Sequence, residues 1–195
     1  MSRLGLIVAV LASMVISSRA WGQPRDEFYE LSARTPWRVV NGTETREFRL
    51  MGEVIVQQER DGGEVRTLAR DVSGHGAVMC GLQTFITFVI VNDACQVNDT
   101  RWRSVLMSAI GRIGEFAERN AIEAVTRDEI VAKAERDVKQ ALADSSAEEI
   151  KQACAEPHGF SEAYSHLRKE GEAKFVAQIN DLLSVERPAV LEPCY

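Results

Sequence analysis

Three histidines in 195 residues leave this chain little material for metal binding or acid–base chemistry. The zinc pattern H-E-x-x-H, an EF-hand loop, the nucleophile elbow G-x-S-x-G and a phosphate-binding glycine loop are all missing. No C-x-x-C occurs among the four cysteines, which argues against a thioredoxin-like redox site and against covalent haem attachment. Positive charge is in the minority, with 23 Lys and Arg against 29 Asp and Glu and a net charge of -6. Contacts to phosphate backbones and anionic lipids rest on clustered Lys and Arg, so nucleic acid is excluded as the expected partner. Internal repeats and low-complexity segments are also lacking. What remains, 45% hydrophobic and 27% charged, is the composition of a folded domain rather than of a disordered, collagenous or multispanning chain.

Long apolar runs are lacking too, and the one at the N-terminus has a different meaning. Arg3 precedes an apolar stretch, Leu4 to Ile16, that is too short to span a bilayer, and Ser18-Arg19-Ala20 or Ala20-Trp21-Gly22 then offers small residues for signal peptidase. Residues 1–20 are therefore expected to be a cleaved signal peptide, with the cut after Ala20 or Gly22, and the mature protein to be periplasmic or secreted without a transmembrane anchor. No cysteine lies near the cut, which argues against a lipid anchor. Removing residues 1–20 takes away Arg3 and Arg19 and no acid, moving the net charge from -6 to -8. Most of it falls between Glu115 and Arg187, where sixteen acids face ten bases.

Export places Cys80, Cys95, Cys154 and Cys194 where disulfides persist, and two bridges are expected. If residues 78–91 form one regular element, Cys80 and Cys95 stand about 22 Å apart as helix, well beyond the ~7 Å that a bridge tolerates between Cα atoms. One early cysteine should then pair with Cys154 and the other with Cys194. The local alternative, Cys80 with Cys95 and Cys154 with Cys194, requires that element to reverse.

The expected fold class is α+β: a small antiparallel β-meander over about 37–72, then a mostly α-helical, disulfide-stapled part over about 78–187, then a pinned tail at 188–195. A polar leader, residues 21–36, with room for one short helix, precedes this single exported domain of residues 37–195. Trp37 to Val40, Phe48 to Met51, Glu53 to Gln57 and Glu64 to Leu68 read as strands, with turns at Asn41-Gly42-Thr43 and Arg60-Asp61-Gly62-Gly63. In the apolar run 78–91, Gln83, Thr84 and Thr87 share one helical face but fall on both faces of a strand, which favours a buried helix. Trp102, Val105, Leu106, Ala109, Ile110, Ile113, Phe116 and Ala117 form a helical stripe, with Arg112, Glu115 and Arg119 spaced for ion pairs on the other side. Thr126 to Glu129 is a capping box ahead of Ile130, Val131, Ala134, Val138 and Leu142, and Ser146 opens a shorter helix that stops before Pro157. Ser161 is expected to cap a long final helix, with Gly171 inside it as a kink or close contact and Pro188 beyond its end.

Few constellations remain that carry chemistry. Ser73-Gly74-His75-Gly76 puts a serine near a histidine in a glycine-flanked loop, and Asp93 is the acid that would complete a nucleophile, base and orienter set. The same four residues also suffice as a turn. Cys154, His158 and His166 have a faint metal-ligand spacing, but a bridged cysteine binds no metal, so neither a metal nor any other cofactor is expected. The acid pairs Asp128-Glu129 and Glu148-Glu149 fall at helix N-termini, where carboxylates serve capping. Gly111 and Gly114 mimic a G-x-x-G clamp but read better as close helix packing. Asn41-Gly42-Thr43 and Asn98-Asp99-Thr100 match the glycosylation sequon, which matters only in a eukaryotic source. The leading functional expectation is a non-enzymatic exported domain that binds a protein or envelope partner or a small ligand. The rival is a small hydrolase-like enzyme using Ser73, His75 and Asp93.

Overall fold

A computed structural model describes residues 24–155 and 160–194. The expected signal peptide, the start of the leader, Pro157 and His158 lie outside the described residues.

The leader folds as α1 (Pro24–Arg34). Its Phe28 and Leu31 are three apart and so share one helical face. That face lies on the sheet, with the Phe28 ring 5.7 Å from that of Phe48. Four antiparallel strands follow, β1 (Arg38–Val40), β2 (Thr43–Leu50), β3 (Val54–Asp61) and β4 (Glu64–Asp71), lying side by side in chain order. Two-residue turns at Asn41-Gly42 and Gly62-Gly63 close the first and last hairpins. Met51 belongs to the β2–β3 turn rather than to a strand.

Register sets the inner face. Phe48 pairs with Val56 and Val56 with Ala69, while Leu50 pairs with Val54 and Val54 with Asp71. Because side chains alternate, the neighbouring positions Glu47, Arg49, Gln57 and Arg70 point the other way, into solvent. The buried end of this face, Phe48, Leu50, Val54 and Val56, forms one small core with Val190, Phe28, Leu31 and Ile122.

A second, larger core belongs to the helices α2 (Val78–Ala94), α3 (Thr100–Arg119), α4 (Arg127–Asp144), α6 (Phe160–Glu170) and α7 (Glu172–Leu182), with α5 (Ala147–Cys154) alongside α6. The apolar run is helical, as its polar spacing favours. Gln83 stays exposed, and the Thr87 hydroxyl donates to the Gln83 carbonyl at 2.8 Å. Being apolar nearly all round, α2 takes the centre and packs on both α3 and α4. The α3 stripe is buried as its spacing requires, apart from the half-buried Val105. Its polar side does not pair within the helix: Arg112 reaches Asn180 of α7 at 2.7 Å, and Glu115 faces Arg127 of α4 at 3.6 Å. Gly114 is the point of closest approach to α4, since a Cβ there would stand 2.7 Å from Arg127 Cγ and 3.3 Å from Val131 Cγ2. Gly111 has no such neighbour, so the packing role belongs to one glycine of the pair.

Thr126 and Ser146 close complete capping boxes with Glu129 and Glu149. The expected single long C-terminal helix is two helices. Gly171 adopts φ 86°, a conformation that L side chains rarely take, and this ends α6 at Glu170 and makes Gly171 the N-cap of α7. α6 begins at Phe160, and the side chain of Ser161, expected to cap it, lies outside the described residues.

The disulfides are Cys80–Cys194 and Cys95–Cys154, with Cα separations of 5.2 and 5.5 Å. Helical α2 holds Cys80 and Cys95 near its opposite ends, so each must find a distant partner. The tail after α7 thereby becomes the seam between the two cores. Its Ala189 N–H donates to the Asn120 carbonyl at 3.3 Å, and its Val190 and Glu192 carbonyls accept from Met79 N–H at 3.0 Å and Asp71 N–H at 2.8 Å. Gly52, at φ 66°, lets the β2–β3 turn approach this tail, where a Cβ would stand 2.3 Å from Arg187 Cβ. Among the described residues no helix is long and apolar enough to cross a membrane.

Candidate functional site

Two places in this frame gather side chains with chemical potential. The first is the loop between β4 and α2. Asp71, the last residue of β4, is buried and uses both oxygens: Oδ1 accepts from Ser73 N–H at 2.8 Å, and Oδ2 pairs with Arg187 Nε at 2.5 Å. Arg187 is fully buried, and its other donors reach the carbonyls of Val185, Gly76 and Leu182 at 2.8, 2.7 and 2.9 Å. One guanidinium thus ties the sheet's end, the loop and the last turn of α7 together.

Within that loop Ser73 Oγ accepts from His75 N–H at 3.2 Å, and the His75 ring turns toward α7. Its Nδ1 lies 3.1 Å from Asp181 Oδ1 and 3.5 Å from Ser184 Oγ, while Ser184 Oγ donates to the Asp181 carbonyl at 2.7 Å. The Ser73 contact is thus to the backbone N–H of His75, and Asp93 is not the acid beside the imidazole. It stands near the far end of α2, roughly 22 Å along the helix, and pairs with Arg103. The carboxylate at His75 is Asp181, 106 residues away in sequence and carried by a different helix, which no local spacing reveals. Nucleophilic catalysis needs the carboxylate on one imidazole nitrogen and the hydroxyl on the other. Here Asp181 and Ser184 both approach Nδ1, and the Ser73 hydroxyl is engaged by the backbone.

Among the described residues the metal-ligand spacing read from the sequence is not assembled. Cys154 is in a disulfide, His158 lies outside the described residues, and His166 sits 3.6 Å from Glu170. Among the described residues no group of three or more His, Cys, Asp or Glu could hold a metal ion.

The second place is the end of the sheet that α1 leaves uncovered. Arg46, Gln58 and Thr67 form one row of the inner face, and Glu44, Arg60 and Val65, joined by Val39 of β1, form the next. Trp37, just before β1, brings its ring to both arginines, with Arg60 Cζ 4.0 Å and Arg46 Cζ 4.2 Å from the ring centroid. Arg46 donates through Nε to Gln58 Oε1 at 2.7 Å, to Ser32 Oγ at 2.6 Å and to the Ser32 carbonyl. All three acceptors are neutral. Burial first, and the charge of Arg60 second, push the Arg46 guanidinium below its ordinary pKa. Arg60 lies 3.4 Å from Glu44. Beyond this pair the face is open, with Val39 72% and Val65 47% exposed. β1 is an edge strand exposed along its whole length, and on the outer face beside it Pro36, Arg38, Val40, Thr45, Glu47 and Gln57 line a hollow of about 450 Å³.

No residue of this second place was singled out by sequence motifs. The nearest signal is the alternation Arg46, Phe48, Leu50, which turns from apolar to cationic along one face. The chain matches no protein-family model, no curated protein and no solved structure.

Proposed function

We propose that the protein is an exported, non-enzymatic binding module that engages a protein partner through the uncovered end of its sheet. The observation that carries this reading is the exposure of Val39 and Val40 on edge strand β1, with Val65 in the same cross-strand row as Val39. Exposed apolar side chains at the uncovered end of a sheet and on its unpaired edge strand are a surface that proteins ordinarily cover. Two disulfides support export, because such bonds persist in oxidising compartments.

The hydrolase-like alternative retains one observation in its favour, the His75–Asp181 pair. One experiment separates the two. The oxidised chain, as wild type, as the double variant Val39→Glu/Val65→Glu and as His75→Ala, is used as bait in cell-envelope extract, with cross-linking and mass spectrometry. The binding reading expects His75→Ala to retain the wild-type partner and the double valine variant to lose it. The reverse pattern, at unchanged urea midpoints, sinks it.

A further inference from the structure

We infer that the free edge of β1 accepts an extended, acidic-apolar segment of a partner polypeptide, which adds to the sheet as a fifth strand and places a carboxylate beside Trp37, Arg46 and Arg60. This deepens the binding reading above and rests on it. The charge at the site is incomplete. Two guanidinium groups lie against one indole, yet Glu44 is the carboxylate within ion-pair distance of Arg60, and among the described residues none lies within that distance of Arg46. An incoming carboxylate meets an uncompensated cation that the ring already partly shields from water.

The geometry on either side of the edge matches an extended chain rather than a helix. β1 pairs with β2 along one side and, among the described residues, offers its other side free. A strand added there alternates its side chains between the two faces of the sheet. Those directed to the inner face lie beside Val39 and Trp37, whose ring carries the guanidinium groups of Arg46 from β2 and Arg60 from β3. Those directed to the outer face meet Val40 and the hollow beside Arg38 and Thr45. Main-chain hydrogen bonds supply affinity without regard to sequence, while the cationic inner ledge selects for acid at alternate positions. The opposite edge of the sheet is less available, because the tail already bridges β4 at Arg70 through Glu192.

The test uses the full oxidised chain and an acetylated, amidated hexapeptide that alternates valine and glutamate, with its lysine counterpart as control. Calorimetric titration should show binding of the glutamate peptide and none of the lysine peptide. Arg60→Gln should weaken binding about tenfold, the size of one charge-assisted hydrogen bond, with the circular dichroism unchanged. Trp37→Phe should remove the change in tryptophan fluorescence on binding. N-methylation of alternate peptide residues in one of its two registers should abolish binding. Equal binding of both peptides, no binding of either, indifference to Arg60→Gln, or indifference to N-methylation in both registers overturns the inference. So does a concentration-dependent dimer in light scattering that Val39→Glu dissolves, since a second copy then occupies the edge. If the envelope partner is still captured while the peptide fails to bind or compete, this inference falls and the binding module stands. If the valine variants retain that partner, the binding reading itself fails.

Discussion

Asp71 and His75 are four residues apart and each meets a side chain from the C-terminal part, Arg187 and Asp181, yet their settings give them very different weights. Asp71 and Arg187 are shut away from solvent and hydrogen-bonded to backbone on each side. Removing one partner of such a pair leaves a buried charge uncompensated, which typically costs about 3–5 kcal/mol. Asp71→Asn should lower the unfolding free energy by that order, read as a large drop in urea midpoint. The His75–Asp181 pair is well exposed, particularly at Asp181, and exposed pairs contribute about 0–1 kcal/mol. His75→Ala should therefore shift the midpoint little, and a loss as large as that of Asp71→Asn would mean that the loop depends on the imidazole more than its contacts show. Neither outcome was legible from sequence. An aspartate at a strand end and an arginine before a proline look like ordinary surface residues until the tail brings them together.

At the scale of the element, local chemistry is decisive wherever a helix begins. Glu129 and Glu149 accept hydrogen bonds from the backbone N–H and hydroxyl of Thr126 and Ser146, and these bonds hold both carboxyl groups below their ordinary pKa. A carboxyl group depressed in the folded state adds stability above its unfolded pKa and loses that contribution as pH falls through its folded pKa. The urea midpoint should thus decline as pH is lowered through and below the carboxylate range. Glu129→Gln/Glu149→Gln should flatten that decline, and an unchanged slope would refute the assignment. Both caps were legible because a capping box is written in four consecutive residues. The hairpin turns were legible for the same reason. Gly171 was not: its cost inside a helix is small enough that a kink and a break look alike in sequence, and the positive φ that separates α6 from α7 is a tertiary choice. Glu115 and Arg112 likewise satisfied the spacing rule for pairing within α3 but turned to neighbouring helices, where their partners lie at comparable distance.

Across the whole molecule, the C-terminal tail unites two cores that share few side chains. Val190 belongs to the sheet's core while Ala189 packs on the helical one, and Cys194 fastens the end to Cys80. Breaking a native bridge in a domain of this kind commonly costs about 2–5 kcal/mol. Cys80→Ser/Cys194→Ser should lower the melting temperature and speed hydrogen exchange at Asp71 and Met79, the amides that the tail's carbonyls cover. Cys95→Ser/Cys154→Ser should instead loosen α5, which packs mainly on α6, and leave those two amides protected. If both double variants expose the same amides, the tail is not the seam described here.

By itself the sequence determined the meander with its turns and the capping box at Thr126, and it favoured a central helix and with it a long-range pairing of the cysteines, without deciding which early cysteine takes Cys154 and which Cys194. Each of these follows from residues near one another in the chain, where sterics and hydrogen bonding act over a few positions. Only the tertiary structure decided that α1 would roof half of the sheet, that Arg187 would be buried against Asp71, that Asp181 and not Asp93 would face His75, and that Trp37 would gather two arginines at an open edge. Those outcomes join residues from nine to more than a hundred positions apart, and tertiary packing, which no local pattern encodes, selects among them.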